Sequence, residues 1–312
     1  MAVKIKSDKV KHHFTVMSCF ACGGGSSMGY KQAGFDVVAA NEIDEKIAKM
    51  YVKNLKPKQM FNCDIRDLLK DDVELPEVDV LDGSPPCSTF TINGDREKSL
   101  QKKKTFREGQ SEQILSDLFY QFIKLADKMK PKVVIAENVQ GLIMGAMKNK
   151  YHRRIMQEFE KIGYSPKCFL VKGEAIGIPQ ARHRVFYIAV RGKVNNFELE
   201  KTAGKLMRFK DIRDDNGKQY KKEKDAGYGV RRISLFDVPP TITSGNNVYI
   251  KELNRNINLS ELLSISTWPK DYDFNGNDPH WACGMSVPPG MMHFVARQVR
   301  DKILDNKEYD HA

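Results

Sequence analysis

Three short motifs place side chains for nucleophilic and acid–base chemistry next to apolar runs of the sequence. Cys87 ends the motif Ser84-Pro85-Pro86-Cys87, and a cysteine thiolate is an effective nucleophile. Glu137 directly follows an apolar run, where burial can raise the pKa of a carboxyl group. Arg182 and Arg184 precede another apolar run, and their spacing projects both side chains to one side of a strand. The three motifs together predict a nucleophile, an acid and two cations around one substrate.

A glycine-rich turn predicts a second, cofactor-binding part of the site. The turn Phe20-Ala21-Cys22-Gly23-Gly24-Gly25 follows an apolar run, and glycines at a strand-to-helix turn let a ligand approach the backbone. Glu42 ends the next apolar run, where a carboxylate can accept both hydroxyl groups of a ribose. Because Met28 occupies the third glycine position of G-x-G-x-x-G, the turn favours an adenosine-containing cofactor in general over a dinucleotide.

The cysteines of this turn also allow a different interpretation. Cys19 and Cys22 have the C-x-x-C spacing of zinc and redox sites, and His280 and Cys283 are conceivable further zinc ligands. That spacing is common by chance, and both cysteines lie where a strand enters the glycine turn. We therefore interpret them as packing residues and predict no metal.

The elements that must position these residues alternate along the first 190 residues. We predict helices over Ser26–Ala33, Ile43–Asn54 and Ser111–Met129, the last with apolar residues at a period near 3.6. The predicted strands are Phe14–Phe20, Phe35–Ala40, Met60–Cys63, Val78–Leu81, Lys132–Ala136, Cys168–Val171 and Arg184–Val190. Such alternation indicates βαβ units, and hence an α/β fold with a doubly wound, mostly parallel sheet.

Composition excludes several classes of protein. The chain has 312 residues, 41% hydrophobic and 29% charged, which is typical of a protein with a full core. The apolar runs, such as Val133–Ala136, are too short for a membrane helix, and the N-terminus has no signal-peptide pattern. The six scattered cysteines are typical of reduced thiols, so we expect a cytoplasmic protein without membrane contact. A net charge of +11 favours a polyanionic partner such as nucleic acid.

Charge and periodicity also predict the domain boundaries. Periodicity is lost after Arg191, and the segment 191–232 holds 13 basic and 7 acidic residues, more than half of the net charge. A helical pattern resumes over Val287–Leu304. We predict a catalytic and cofactor-binding domain over 1–191, a small basic domain over 192–275, and a C-terminal segment over 276–312 that returns to the first domain.

In their order along the chain, these motifs resemble those of the cytosine-C5 DNA methyltransferase family of bacterial and phage type. The resemblance covers nearly the whole chain. The matching motifs are Phe20–Gly24, Asn41–Asp44, Cys63-Asp64-Ile65, Ser84–Cys87, Glu137-Asn138-Val139, Gln180–Arg184, Asn258–Glu261 with Trp268-Pro269, and Gly284–Pro289. The resemblance implies a Rossmann-like domain that uses S-adenosylmethionine and releases S-adenosylhomocysteine, with the small basic domain recognising the DNA target.

The resemblance also implies a role for each catalytic residue. Cys87 would add to cytosine C6, and Glu137 would hydrogen-bond or protonate N3 and contact the exocyclic amine. Arg184 would hold cytosine O2, and Arg182 would support the thiolate and a nearby phosphate. The target cytosine must leave the duplex to reach Cys87, so base flipping is implied.

The remaining site residues are likewise carried over from the family. The implied cofactor contacts are Phe20, Ala21, Cys22, Gly23, Gly24, Glu42, Ile43, Asp64, Ile65, Pro86, Leu118, Met285 and Ser286. The expected DNA contacts are Ser88, Lys102, Lys103, Lys104, Arg107 and Thr241. Three positions depart from the usual pattern: Cys22 replaces a glycine, Ser88 a glutamine and Met285 an asparagine.

The expected partner is double-stranded DNA, bound by a monomer, and a cognate restriction endonuclease is a further partner that the resemblance allows. A tRNA cytosine-C5 methyltransferase of the same architecture is the alternative function. A DNA-binding homologue without activity conflicts with the presence of Cys87 and Glu137. A Rossmann-type dehydrogenase conflicts with the glycine pattern of the turn.

Overall fold

The structure is a computed structural model and describes residues 4–86, 117–144, 151–192, 197–201, 204–218 and 229–306. Some predicted site residues lie outside these ranges, so their placement stays a prediction. They are Cys87, Ser88, Lys102, Lys103, Lys104 and Arg107.

A seven-stranded sheet forms the centre of the molecule. Its strands are β1 (Thr15–Cys19), β2 (Asp36–Asn41), β3 (Gln59–Phe61), β4 (Val80–Gly83), β5 (Val133–Val139), β6 (Tyr164–Lys172) and β7 (His183–Arg191). The strand order is β3-β2-β1-β4-β5-β7-β6. Strands β1 to β5 pair in parallel, whereas β7 is antiparallel to both β5 and β6. The predicted α/β fold with a mostly parallel sheet is confirmed, and the antiparallel pairs are confined to β7.

Helices cover both faces of this sheet. They are α1 (Gly25–Gln32), α2 (Glu45–Leu55), α3 (Leu118–Met129), α4 (Tyr151–Lys161) and α7 (Pro289–Val299), which continues into a π-helical turn (Arg300–Leu304). Val133 and Ile135 of β5 belong to the apolar cluster with α1 and α7, whereas Val134 belongs to the cluster with α3 and α4. A strand buried on both faces needs apolar residues at successive positions, which explains the continuous apolar runs of the sequence.

A smaller sheet and two helices follow the large sheet along the chain. They comprise β8 (Val230–Ile233), β9 (Asn247–Ile250), β10 (Arg255–Asn256), α5 (Leu259–Ile265) and α6 (Pro279–Met285). Helix α5 begins with a capping box, in which Asn258 and Glu261 each accept a backbone N–H of the other. Ile250 of β9 shares an apolar cluster with Met50 of α2 and with Trp268. The small sheet is therefore continuous with the core at α2, and the boundary at residue 275 stays a prediction.

The described helices include no segment that is both long enough and apolar enough to cross a membrane.

Candidate active site

The carboxyl end of β5 carries a buried ion pair. Arg184 Nε lies 2.9 Å from Glu137 Oε1, and only 15% of the Arg184 side chain and 10% of the Glu137 side chain is exposed. Because β7 runs antiparallel to β5, Val139 pairs with Arg184, so the start of β7 lies beside the end of β5. Burial lowers the pKa of the Arg184 guanidinium, while the Glu137 carboxylate acts in the opposite direction. The structure brings together two of the four residues predicted for catalysis.

The same end of β5 supports the turn that leads to Cys87. The buried side-chain amide of Asn138 donates to the Pro85 carbonyl oxygen at 3.1 Å. Pro85 and Pro86 follow β4, which pairs in parallel with β5. An amide from one strand thus fixes the backbone that continues from its neighbour, next to the Glu137–Arg184 pair.

Asp82 of β4 is a site residue that sequence reasoning missed. Its carboxyl group is buried and accepts hydrogen bonds from the Ser18 hydroxyl at 2.9 Å and from the Tyr30 hydroxyl at 3.3 Å. Burial raises the pKa of Asp82 to about 7, with a smaller contribution from Glu137, and the two hydroxyl groups act against that shift. The available signal was an acidic residue between Leu81 and Gly83 within an otherwise apolar strand.

Gln180 and Arg182 form a second buried unit, which we call the clamp. The Arg182 guanidinium donates to the carbonyl oxygens of Ile242 at 2.8 Å, Gly284 at 3.2 Å and Ser286 at 3.0 Å. Gln180 donates to the Ile265 carbonyl and accepts the Ile242 N–H. The clamp therefore joins β7 to segments that are 60 to 104 residues away along the chain.

Among the described residues Arg182 contacts the backbone, and its expected role towards the thiolate and a nearby phosphate stays a prediction. Both terminal nitrogens of its guanidinium donate to backbone carbonyl groups, and the residue is only 3% exposed. Burial and the nearby charge of Arg184 lower the pKa of Arg182 to about 9. In this arrangement Arg182 organises the backbone, and Arg184 alone of the two pairs with the carboxylate.

Thr241 lies in the segment that the clamp holds. Its hydroxyl donates to the Ala181 carbonyl oxygen at 2.6 Å, and the Ala181 N–H donates to Pro239. The Thr241 hydroxyl proton is therefore used within the protein, and a contact of Thr241 with DNA stays a prediction.

The predicted cofactor turn adopts a left-handed backbone at alternate positions. Phe20 has φ 53°, Cys22 has φ 47° and Gly24 has φ 81°. Gly24 is the N-cap residue of α1, and a Cβ atom at this position would overlap the Leu55 side chain. Glycine is therefore favoured at Gly24 by both the backbone conformation and the available space. Cys22 adopts a conformation that usually favours glycine, which agrees with the glycine usual at this position in the family it resembles.

Glu42 is bound to the backbone on both sides of its carboxylate. One oxygen accepts the Cys22 N–H and the other accepts the Asp44 N–H, each at 2.9 Å. These bonds join the end of β2 to the glycine turn, and a carboxylate oxygen can accept more than one hydrogen bond. Glu42 therefore stays able to accept ribose hydroxyl groups while it holds the turn.

The other predicted cofactor residues fall into three groups. Ile65 and Leu118 are buried in the cluster of α3, and Phe20 packs against it. Ile43 and Met285 are exposed large apolar side chains, about 40% accessible each. Asp64 caps a 3₁₀ helix over Ile65–Leu69 and pairs with Arg66 at 3.0 Å, an arrangement that the sequence did not indicate.

The residues around the glycine turn fit an adenosine-containing cofactor with a polar tail. The buried Ser286 hydroxyl has no hydrogen-bond partner among the described residues. It lies 3.6 Å from the position of a Cβ atom at Gly23, so it faces the turn. Tyr272 donates its hydroxyl proton to the Gly23 carbonyl at 2.6 Å, which fixes the turn from the other side. An unused hydroxyl beside a glycine turn is suited to a polar group of a ligand.

The zinc interpretation finds no support in the described part of the chain. Its His, Cys, Asp and Glu side chains include no group of three or more that could hold a metal ion. Cys19 and Cys283 are buried, and Cys22 is partly buried.

Comparison with known proteins places this geometry in one family. The sequence pattern described as C-5 cytosine-specific DNA methylase matches residues 14–229. The chain is 35% identical over 186 residues to the type II methyltransferase M.FnuDI of Fusobacterium nucleatum, covering 59% of this chain and 49% of that protein. It is 27% identical over 304 residues to the type II methyltransferase M.HindV of Haemophilus influenzae, covering 90% of this chain and 94% of that protein. The chain thus spans about half of one relative and nearly all of the other.

The fold is also similar to that of a solved structure. The Dnmt2 methyltransferase of S. pombe superposes with a TM-score of 0.69 at 15% sequence identity, covering 95% of this chain and 100% of that one. At this identity the similarity shows the fold alone.

Proposed function

The chain belongs to the C-5 cytosine-specific DNA methylase family, and on that basis we propose that it transfers a methyl group from S-adenosylmethionine to carbon C5 of cytosine in duplex DNA. The observation that carries the proposal is the buried Glu137–Arg184 pair beside the Pro85-Pro86 turn. An acid, a cation and the backbone that leads to a cysteine thus meet at one edge of a parallel sheet, where such folds place their active sites.

The cofactor is held, in this proposal, by the glycine turn and the residues around it. Bound S-adenosylmethionine supplies a methyl group that is electrophilic because it is bonded to a positively charged sulfur. Glu42 binds the ribose, Phe20 and Ile43 contact the adenine, and the unused Ser286 hydroxyl binds the polar tail. Asp64 accepts a hydrogen bond from the adenine amine. Its carboxylate also accepts a hydrogen bond from Arg66. The exposed Met285 side chain gives an apolar contact where the family usually has an asparagine.

The protein residues activate the cytosine ring at C6. The Cys87 thiolate adds to C6, and the electron pair of the C5–C6 double bond becomes available at C5. Glu137 donates a hydrogen bond or a proton at N3, which removes negative charge from the ring as the carbon–sulfur bond forms. Arg184 donates to cytosine O2 from a side chain already oriented by Glu137. Once C5 carries the methyl group, its proton passes to a base, the bond between C6 and sulfur breaks to release the Cys87 thiolate, and the ring is restored.

The proposed binding of duplex DNA rests on the basic side chains of the protein and on the accessibility of the cytosine atoms. The atoms C5 and C6 are not accessible to a protein thiolate within a stacked duplex, so the cytosine is flipped into the pocket. Lys102, Lys103, Lys104 and Arg107 are proposed to bind phosphate groups, and the small basic domain over 192–275 to read bases. We further propose a monomeric enzyme of the bacterial cytoplasm, and the type II methyltransferases among its relatives support a restriction endonuclease as its partner.

A mechanism-based trap tests this proposal. Duplex DNA with 5-fluorocytosine at the target base should accept a methyl group and then stay bonded to Cys87, because fluorine cannot leave C5 as a cation. The adduct should survive denaturing electrophoresis with the mass of protein plus methylated DNA. Cys87→Ser should abolish it, since a serine hydroxyl is far less ionised than a thiol.

Matched controls identify both the nucleophile and the nucleic acid. Cys63→Ser and Cys19→Ala should each leave adduct formation intact. An adduct that persists in Cys87→Ser but disappears in one of these variants would assign the reaction to another thiol. Methyl transfer confined to tRNA would refute the DNA substrate.

A further inference from the structure

Asp82 lies where the two halves of the proposed site meet. It is 1% exposed and in register with Ser18 of β1 on one side and Ile135 of β5 on the other. Its two oxygens are hydrogen-bonded to the Ser18 hydroxyl at 2.9 Å and the Tyr30 hydroxyl at 3.3 Å, and a hydroxyl group can either donate or accept. Strand β1 and helix α1 enclose the cofactor turn, whereas β4 continues into the nucleophile motif. One carboxyl group therefore joins the cofactor side to the nucleophile side.

The groups that face Asp82 supply no positive charge. The titratable neighbours are Cys19 of β1, Tyr30 of α1, Tyr51 of α2 and Glu137 of β5. Among the described residues no Lys, Arg or His lies within ion-pair distance of Asp82, while Glu137 has Arg184 as its partner. A buried carboxyl group without a cation favours its neutral form.

We propose that Asp82 is a positioning residue that works in its protonated form, in which it holds β4 against β1 and α1 without adding charge to the site. The inference rests on the proposed function for its effect on methyl transfer. An ionised Asp82 would place a second negative charge near Glu137, on the strand that continues into the nucleophile motif. Like charges repel strongly in a buried site, so that charge would oppose formation of the Cys87 thiolate.

The protonation state of Asp82 can be measured without any activity. In the full chain labelled with carbon-13 at aspartate carboxyl carbons, one resonance should titrate near pH 7 and disappear in Asp82→Asn. Asp79→Asn is the matched control, because Asp79 immediately precedes β4 but pairs with Lys132 at 2.8 Å, and its pKa is lowered. The resonance near pH 7 should persist in that variant. Titration of every aspartate resonance below pH 5 in the unmodified protein would overturn the proposal.

The positioning role is tested by single-turnover methyl transfer at saturating cofactor and DNA. The rate of Asp82→Asn relative to the unmodified enzyme should rise at least threefold between pH 6.5 and pH 8.5, because the amide cannot ionise. The same ratio for Asp79→Asn should stay constant. Asp82→Leu should be at least tenfold slower at pH 6.5, and asparagine should restore most of that rate because it keeps a hydrogen-bond acceptor.

The measurements distinguish failure of the positioning role of Asp82 from failure of the proposed DNA methylation. A ratio for Asp82→Asn that does not change with pH would refute the positioning role. Absence of DNA methylation by the unmodified enzyme at every pH would refute the proposed function instead, and the aspartate resonance would still decide whether Asp82 is protonated.

Discussion

Arg182 and Arg184 are separated by one residue and are both buried, yet they serve two different regions of the molecule. Arg184 pairs with the Glu137 carboxylate at the end of β5. Arg182 binds three backbone carbonyl groups, one in the last turn of α6 and one just after that helix. A guanidinium can serve either purpose because it offers five N–H donors in a fixed plane. Burial and residue type alone therefore do not distinguish a side chain that faces substrate from one that stabilises the fold.

The largest expected effect is on catalysis at the Glu137–Arg184 pair. Glu137→Gln keeps the size of the side chain but removes its proton-donating carboxyl group. We expect the single-turnover rate of methyl transfer to fall by about 100-fold to 10,000-fold, the range typical of general acid–base catalysis. Glu174→Gln is the matched control, since Glu174 bonds to His183 at 2.6 Å, between the two arginines in sequence. It should stay within about threefold of the unmodified rate.

Mutation of the clamp should lower the free energy of unfolding of the protein. Arg182→Met leaves the three carbonyl oxygens without their donor in a buried environment, and each unsatisfied group costs about 1–3 kcal/mol. We expect the free energy of unfolding in urea to fall by about 3–5 kcal/mol. Methyl transfer per folded molecule should change far less than in Glu137→Gln. A large loss of activity at unchanged stability would instead place Arg182 with Arg184, in contact with substrate.

Asp82 makes a pH-dependent contribution to the free energy of unfolding. Its pKa is raised to about 7 in the folded protein, so the folded state holds its proton more tightly than the unfolded state. The associated stability is present below about pH 4, the ordinary range of an aspartate, and is lost as the pH rises to about 7. The free energy of unfolding should therefore fall over this interval by a few kcal/mol more than in Asp82→Asn. Parallel curves for the two proteins in urea unfolding would contradict this.

The smallest expected effect concerns Thr241. Thr241→Val removes the hydrogen bond to the Ala181 carbonyl beside the clamp, which should lower the free energy of unfolding by about 1 kcal/mol. The methylated sequence should not change, because the hydroxyl proton is used within the protein. Bisulfite sequencing of DNA from cells that express the variant is the measurement. An altered target sequence would return Thr241 to the DNA contacts predicted from the sequence.

The sequence predicted the large sheet well because most of its strands contain an apolar run bounded by a turn. Glu137 and Arg184 were also predicted, since polar residues at the ends of such runs are conspicuous. Neither the antiparallel direction of β7 nor the clamp could be predicted, because both depend on partners 45 to 104 residues away. Strands β8 to β10 were missed because they are only two to four residues long and lie in a segment without clear periodicity. The apolar side chains of β8 and β9 belong to the same cluster as those of α2.

The pairing of β5 divides that strand into two parts whose backbone amide hydrogens should exchange with solvent at different rates. Val133–Ala136 are hydrogen-bonded between β4 and β7, whereas Glu137, Asn138 and Val139 extend beyond β4 and pair with β7 alone. Backbone amides with neighbours on both sides open only in larger unfolding events. Deuterium uptake should therefore change abruptly between Ala136 and Glu137. The acid thus lies at the point where the most slowly exchanging part of the sheet ends, and it can adjust to a ligand without disrupting the core behind it.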